Sequence, residues 1–246
     1  MKAEGLFIEN LDHPGPQEQR QEARKHRRAL VEGRGLIGLG LGLLALFGLI
    51  TATVLFLDPL AVDVPITREL QEVNFGPFNW LMVEVSAPGF WPWSLIFPVV
   101  VIAVVALLRR VVEAAFLALA SLAAAASDVV KALVHRERPS EDLVRVMRHS
   151  DTFSFPSGHV TQYVLFLGFS FYLAYTLLRP GPLRTVLLVL TGGLVLLVGP
   201  SRIWMGQHWA SDVLGGYTLG FGLLLLIIWT YRAWEARFVR KEEQQV

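Results

Sequence analysis

Three short segments of the sequence carry the side-chain types that chemistry on a phosphate ester requires. Among their residues are three cations, two histidines, one carboxylate and a turn containing glycine that could act together on such a group. Arginine and lysine neutralise phosphate oxygens, and histidine transfers protons or attacks phosphorus near neutral pH. Each segment lies at the end of an apolar stretch, which predicts phosphate chemistry at a membrane surface. The segments are residues 131–139 (KALVHRERP), 156–159 (PSGH) and 201–212 (SRIWMGQHWASD).

The first segment pairs two cations. Lys131 and Arg138 are seven residues apart, so in a continuous helix they share one face. Pro139 disfavours helical geometry at the residue before it, which predicts a helix end at Arg138. Two cations on one face at a membrane boundary would clamp a phosphate group. The alternative is that both side chains only extend from a helix end toward water.

The second segment is a turn ahead of an apolar helix. Pro156, Ser157 and Gly158 favour a turn, and a helix that begins near His159 would present free backbone N–H groups to an anion. Gly158 lets the backbone approach a ligand closely, and the Ser157 hydroxyl offers a further donor. The alternative is a Ser-capped helix start with an incidental histidine.

The third segment pairs a histidine with a carboxylate. His208 and Asp212 are four residues apart, so a helix there stacks them on one face. A carboxylate on one imidazole nitrogen fixes the tautomer and exposes the other nitrogen as a nucleophile or base. Arg202, six residues before His208, would neutralise phosphate oxygens. The alternative is an ordinary His–Asp pair at a helix cap.

The elements that position these segments are predicted to be membrane-spanning helices. Hydrophobic residues make up 53% of the 246 positions and charged residues only 17%, whereas a soluble domain usually carries about 25% charged residues. Six stretches approach the roughly 20 apolar residues that a spanning helix needs, which argues against a soluble helical core. The predicted fold class is all-α, an integral membrane bundle of six transmembrane helices at about residues 35–57, 89–108, 111–134, 159–178, 184–201 and 212–231.

The distribution of Lys and Arg predicts the orientation of the bundle. These residues concentrate in residues 1–34, in the second-to-third and fourth-to-fifth connections, and after Tyr231. By the positive-inside rule both termini are cytoplasmic. This divides the chain into a basic N-terminal segment (1–34), a six-helix domain (35–232) and a cytoplasmic tail (233–246). The first external loop, about 58–88, is acidic and includes an expected interfacial helix over 65–75.

The other two external connections break this charge trend, because they carry the cations of the three segments. An anionic ligand is the simplest reason for cations on that side. The formal net charge of +1 gives no indication of a nucleic-acid partner. The absence of cysteine excludes disulfides, zinc–thiolate sites and thiol nucleophiles.

Taken together, the segments resemble the three-part signature of the type 2 phosphatidic acid phosphatase (PAP2) superfamily: KxxxxxxRP, PSGH and SRxxxxxHxxxD. Every signature position is present. The resemblance implies that His208 attacks phosphorus to form a phosphohistidine, that Asp212 supports it, and that His159 protonates the leaving oxygen and then activates water. It assigns the phosphate oxygens to five binding residues: Lys131, Arg138, Ser157, Gly158 and Arg202.

The resemblance also implies a class of reaction and a location. We expect a multi-pass cell-membrane phosphatase that acts on a lipid phosphate or diphosphate, such as phosphatidate, phosphatidylglycerophosphate or polyprenyl diphosphate, at the non-cytoplasmic face. No cofactor and no metal are expected, and the expected partners are the lipid substrate and the bilayer. Two alternatives stay open: a phosphotransferase that passes the phosphoryl group to a lipid or sugar, and a non-catalytic protein that binds lipid phosphate. The oligomeric state and the substrate lipid are not specified by the sequence.

Overall fold

The computed structural model describes residues 16–57 and 60–243, with side chains at 33–57 and 60–237. Most side chains of the basic segment 1–34 therefore lie outside the described residues. The described backbone is helical and forms ten α-helices: α1 (Pro16–Leu57), α2 (Leu60–Glu72), α3 (Gly76–Ser86), α4 (Trp93–Leu107), α5 (Val111–Ala123), α6 (Ala126–Val134), α7 (Gly158–Gln162), α8 (Gly168–Leu177), α9 (Pro182–Trp204) and α10 (Ala210–Glu243). Helices α1 and α10 continue across the predicted boundaries at 34/35 and 232/233.

Apolar helices of membrane-spanning length confirm the predicted bundle. Five of them meet the length and hydropathy that a span requires, and a bent pair formed by α3 and α4 makes up a sixth. The five are Gly33–Leu57, Val111–Val134, Gly158–Leu177, Pro182–Trp204 and Ala210–Arg237. Many large apolar side chains on these helices are exposed, as expected where lipid replaces water.

The second span differs from the predicted single helix at 89–108. Helices α3 and α4 meet at an angle of 65°, with a 3-10 turn at Ala87–Gly89 between them. Pro88 and Pro92 lie at this break, and proline removes a backbone donor and disfavours a continuous helix. The expected loop over 58–88 is therefore mostly helix. The bend places Gly89 and Phe90 in the interior of the protein at one end of the bundle.

Helix α2 also differs from the expected surface helix over 65–75. It begins at Leu60, ends at Glu72 and buries Asp63 and Thr67, while Ile66 is exposed. Its inward face therefore combines buried polar side chains with Leu70, which packs against the apolar core. An interfacial helix would instead turn its apolar face to the bilayer and its polar face to water, so the burial of Asp63 requires a partner inside the protein.

The helix ends that carry the three segments converge at one end of the bundle. At this end, helix α6 ends at Val134 and helix α9 ends at Trp204. Helices α7 and α10 begin at the same end of the bundle. The core beneath them is apolar and is built from α5, α8, α9, α10 and a π-helical turn at Tyr163–Leu167. This core holds the helix ends in fixed relative positions beneath the site.

Candidate active site

The three segments meet around a cavity of about 540 Å³. Gly89, Phe90 and Trp91 at the α3–α4 break form part of its wall. Ser157 and Asp212 are fully buried outside that lining. The other six of the eight residues predicted from the sequence line the cavity: Lys131, Arg138, Gly158, His159, Arg202 and His208.

His208 is the buried imidazole of the site. It lies in the turn before α10 and not on the helix, because α10 begins at Ala210. Asp212, in the first turn of α10, nevertheless reaches back, and its Oδ2 is 3.5 Å from Nδ1 of His208. On the other side of the ring, Nη1 of Arg138 is 3.3 Å from Nε2. The carboxylate thus lies near one ring nitrogen while the other ring nitrogen lies beside the guanidinium of Arg138.

The protonation state of His208 follows from its surroundings. Burial lowers the pKa of His208 well below its ordinary value of 6.5, and the nearby charges of Arg138, Arg202 and Lys131 lower it further. The nearby backbone of Ser154 acts in the opposite direction and raises the pKa. His208 is therefore a neutral imidazole at physiological pH, which leaves one ring nitrogen with a free lone pair.

His159 is the second imidazole in the cavity. It lies in the first turn of α7, and its ring packs edge-on against Phe90 with centroids 4.8 Å apart. Its Nε2 is buried and has no hydrogen-bond partner among the described residues. An unpartnered ring nitrogen at the cavity wall can exchange a proton with a bound ligand or water.

Arg138 and Arg202 are held by neutral groups. Arg138 donates to the Thr152 carbonyl at 2.6 Å and to the Gln207 carbonyl at 2.6 Å, and burial lowers the pKa of its guanidinium. Arg202 is 2% exposed and donates to Oε1 of Gln207 at 2.8 Å. Neither guanidinium has a carboxylate within ion-pair distance in the described part of the chain. Buried cations without a counter-charge favour the binding of an anion.

Lys131 and Arg138 reach the cavity by a different route from the one predicted. The shared helix face is wrong, because α6 ends at Val134 and His135 adopts a left-handed conformation with φ of 53°. The chain then reverses, so Arg138 enters the cavity from the α6–α7 connection. Lys131 remains on α6, where its Nζ is 2.9 Å from Oδ1 of Asp128.

The PSGH segment forms the predicted turn before a helix. Helix α7 begins at Gly158, and the Ser157 hydroxyl does not cap it, which contradicts the Ser-cap alternative. That hydroxyl is buried without a hydrogen-bond partner among the described residues. A Cβ atom at Gly158 would lie 2.8 Å from Nζ of Lys131, so only glycine lets the ammonium group approach the turn this closely.

Several residues of the site were not predicted from the sequence. Phe90 carries two guanidinium groups near its ring, those of Arg148 at 4.4 Å and Arg202 at 5.0 Å from the centroid. Arg136 contacts both Asp63 and Asp212 behind the cavity. Arg136 lies inside the first segment, at a position that the signature leaves unspecified. Asp63 is distant in sequence and carries no local signal.

The described residues contain no group of three or more His, Cys, Asp or Glu side chains arranged to hold a metal ion. Asp212 is occupied by protein donors: the Ser154 hydroxyl and the Trp209 N–H bond to Oδ2, and Arg136 bonds to Oδ1. The charged groups that face the cavity are thus chiefly cations.

Comparisons with known proteins show relatives in sequence and in fold. The phosphatidylglycerophosphatase B of Bacillus subtilis (strain 168) is 33% identical over 105 residues, which are 41% of this chain and 49% of that protein. The match therefore spans about half the length of the curated relative.

Two solved structures share the fold. One is the first transmembrane PAP2 type phosphatidylglycerolphosphate phosphatase from Bacillus subtilis, with a TM-score of 0.67, 22% identity, and coverage of 80% of this chain and 96% of that one. The other is LpxE of Aquifex aeolicus, with a TM-score of 0.50, 19% identity, and coverage of 67% and 94%. Both likenesses support the helical membrane architecture.

A family model also matches residues 111–236, a range that contains all three segments and the helices that carry them. The chain belongs to the PAP2 superfamily.

Proposed function

We propose that this protein is an integral membrane phosphatase that removes phosphate from a lipid phosphate or diphosphate through a phosphohistidine intermediate. The observation that carries the proposal is the buried neutral His208 beside a cavity whose lining includes Lys131, Arg138 and Arg202, and neither arginine of this set has a carboxylate partner among the described residues. Such a site favours an anionic group and sets a nucleophile against it. Positioning and charge stabilisation supply most of the catalysis in phosphoryl transfer.

In the first step, Nε2 of His208 attacks the phosphorus while the bond from phosphorus to the leaving oxygen breaks. Protonated His159 donates its proton to that oxygen, which departs as an alcohol or, from a diphosphate, as the lipid monophosphate. The ring of His208 becomes positively charged, and the Asp212 carboxylate near Nδ1 stabilises this charge. Lys131, Arg138, Arg202 and the Ser157–Gly158 turn hold the non-bridging oxygens.

In the second step, neutral His159 takes a proton from water as the water oxygen attacks the phosphorus. The phosphorus–nitrogen bond breaks, inorganic phosphate leaves, and His208 returns to its neutral form. One histidine thus serves as acid and then as base, which regenerates both residues in each cycle. The three cations supply the charge stabilisation that a metal ion supplies in other phosphatases, so we propose metal-independent turnover.

The substrate is proposed to be a lipid, because the cavity opens among membrane-spanning helices. Trp91 lines the cavity and is 75% exposed, so an apolar side chain and the cations share one opening. The similar Bacillus subtilis protein is a phosphatidylglycerophosphatase, which makes phosphatidylglycerophosphate the first candidate. Phosphatidate and polyprenyl diphosphate present the same phosphate and apolar chain.

We also propose the orientation given by the Lys and Arg distribution. Both termini, including segments 1–34 and 233–246, lie in the cytoplasm, and the six-helix domain 35–232 opens its cavity at the non-cytoplasmic face. The support is the concentration of basic residues in the connections opposite the cavity. This orientation restricts the substrate to lipids of the outer leaflet.

A phosphate-release panel tests the function. Purified protein in detergent is supplied with phosphatidylglycerophosphate, phosphatidate, polyprenyl diphosphate and a sugar phosphate, and kcat/KM is compared with and without EDTA. The highest value is expected for a lipid, with no loss in EDTA, and His208→Ala is expected to abolish release while the protein stays folded. Unchanged turnover in His208→Ala contradicts the mechanism.

Labelled phosphate separates hydrolysis from the two alternatives. Under the proposed function the label appears as free phosphate and transiently on the protein. Label recovered on a lipid or sugar acceptor would indicate a phosphotransferase. Binding of every lipid phosphate with no release of label would indicate a non-catalytic protein.

A further inference from the structure

A buried network of charged side chains lies directly behind Asp212, outside the cavity. Arg136 of the α6–α7 connection contacts Asp212 and, on its other side, Asp63 of α2, and none of the three belongs to the cavity lining. Asp63 is 1% exposed and Asp212 is 0% exposed. Ions buried this deeply are strongly destabilising unless each is well paired, so the pairing geometry determines what the network does.

Arg136 bridges the two carboxylates. Its Nη2 donates to Oδ2 of Asp63 at 2.6 Å, and its Nη1 donates to Oδ1 of Asp212 at 2.6 Å. Ser211 completes the contact from α10, because its hydroxyl donates to Oδ2 of Asp63 at 2.6 Å and its N–H donates to Oδ1 at 2.8 Å. With Oδ1 of Asp212 held by Arg136, the other oxygen, Oδ2, faces Nδ1 of His208 at 3.5 Å.

The charges in this network do not cancel. One guanidinium is shared between two carboxylates, so one negative charge is left over beside His208. Without Asp63, Arg136 would neutralise Asp212 alone and weaken its attraction for an imidazole that becomes positive. Because charge interactions are strong where water is excluded, this sharing changes how well Asp212 stabilises the attacking ring.

We propose that Asp63 and Arg136 are positioning residues for the nucleophile: Arg136 fixes the orientation of Asp212, and Asp63 limits the neutralisation of Asp212 by Arg136. Helix α2 thereby becomes part of the catalytic apparatus although it contributes no residue to the cavity. The kinetic consequences rest on the proposed function. The effect on the ring of His208 does not, and it is measured without turnover.

NMR titration of the histidine rings in the full chain tests the electrostatic part. The charged groups that face His208 are Arg138, Arg202, Lys131 and Asp212, with His159 across the cavity, and they are left intact. Asp63→Asn is expected to lower the pKa of His208 further, since Arg136 then neutralises Asp212 more fully. Arg136→Gln is expected to raise it, since a nearby positive charge is removed.

These opposite shifts distinguish positioning from a structural role. A loosened fold would admit water in both variants and move the pKa of His208 toward its ordinary value in each. Equal-sign shifts, or no shift in either variant, overturn the proposal. The resonance of His208 is identified by its loss in His208→Gln.

Steady-state kinetics on the preferred lipid test the catalytic part. Asp63→Asn is expected to lower kcat about 10-fold and Arg136→Gln about 100-fold, with KM within about 2-fold, because neither residue contacts the substrate. Arg136→Lys keeps the charge but replaces the two guanidinium nitrogens, which bond one carboxylate each, with a single ammonium nitrogen. We therefore expect an intermediate kcat. Arg110→Gln is the matched control, since it removes an ion pair with Glu113 at the far end of α5, and it is expected to leave kcat unchanged.

Asp63→Asn is the variant that we expect to disturb the fold least. Asp63→Asn preserves the shape of the side chain, and its amide oxygen can still accept a hydrogen bond from Arg136 or Ser211. An unchanged kcat in folded Asp63→Asn, or a loss that appears only in KM, overturns the proposal. If the wild-type protein releases phosphate from no lipid, the proposed function fails, while the titration of His208 still decides the positioning role.

Discussion

His208 lies among charges that keep its ring neutral, and this makes the pH dependence of the reaction predictable. Burial and the cations Arg138, Arg202 and Lys131 hold the pKa of His208 well below 6.5. In the proposed mechanism the attacking form is the unprotonated ring, so it persists as the pH falls until the lowered pKa is reached. The ordinary pKa of histidine is about 6.5. We expect the acid limb of kcat/KM that belongs to His208 to lie well below that value.

Arg138→Gln provides the control for that profile. Ionisation of the substrate phosphate affects wild type and variant alike, so the difference between their profiles reports the protein. Removing the cation beside Nε2 raises the pKa of His208 and is expected to move the acid limb to higher pH, in addition to lowering the rate. An acid limb at the same pH in both proteins would contradict the assignment.

Arg148 is a further cation whose contribution is testable at the residue scale. It is exposed at the edge of the cavity and packs over the ring of Phe90, as Arg202 does. We expect Arg148→Gln to raise KM about 3- to 10-fold with kcat little changed, because an exposed charge attracts the anionic headgroup without contacting the reacting atoms. Initial rates at low and high salt measure this, since salt screens the wild-type advantage.

The control for Arg148 is Arg184→Gln. Arg184 lies at the start of α9, and its guanidinium packs over the ring of Tyr175. Its KM is expected to equal that of wild type at both salt concentrations. An equal rise in KM in the two variants would mean that overall charge, and not the position of Arg148, determines substrate capture.

Eight candidate site residues could be predicted from the sequence because each stands in a short segment of characteristic spacing, and six of them line the cavity. The sequence does not reveal Arg136 and Asp63, and there is a physical reason for this. The first segment contains two arginines, Arg136 and Arg138, within three consecutive positions. Only the reversal of the chain after His135 decides which of them enters the cavity. Asp63 is 73 residues from Arg136, and no periodicity links the two.

At the element scale, the break between α3 and α4 determines the position of His159. A Cβ atom at Gly89 would lie 2.2 Å from Cδ2 of His159, far closer than van der Waals contact. We expect Gly89→Ala to displace the ring of His159 and to lower kcat at least about 10-fold, because general acid–base catalysis requires hydrogen-bond distance to the substrate. The measurement is kcat together with the unfolding temperature.

Gly193→Ala makes the same chemical change in α9, where no atom lies within 4 Å of the added methyl group. This control is expected to retain wild-type kcat. If Gly89→Ala also retains wild-type kcat, close packing of the α3–α4 break against His159 is unnecessary for catalysis.

Helix boundaries near the site were less predictable than the helices themselves. Hydropathy identified the apolar stretches because burial in lipid requires them to be long and uncharged. It did not reveal that α6 ends at Val134 or that the second span is bent, since these depend on the left-handed His135 and on Pro88 and Pro92. Such local breaks bring Arg138 and Phe90 into the cavity.

At the scale of the whole molecule, the bundle separates two kinds of surface. Its helices present large apolar side chains outward, while four buried charged residues gather at the cavity end: Asp63, Arg136, Arg202 and Asp212. Buried charges in a membrane protein are costly and mark functional positions. The energetic cost of holding them is offset by mutual pairing and, for the cations of the cavity, by an anionic ligand.

The orientation of the bundle in the membrane is the remaining prediction, and the lack of cysteine in the chain makes it directly measurable. A single introduced cysteine is then the only thiol that a membrane-impermeant maleimide can modify. Asp142 is exposed in the α6–α7 connection at the cavity end, and Pro180 is exposed in the α8–α9 connection. In intact cells Asp142→Cys is expected to be labelled, and Pro180→Cys only after permeabilisation, because basic residues retain the α8–α9 connection in the cytoplasm. The opposite labelling pattern would place the cavity at the cytoplasmic face and would require a substrate from the inner leaflet.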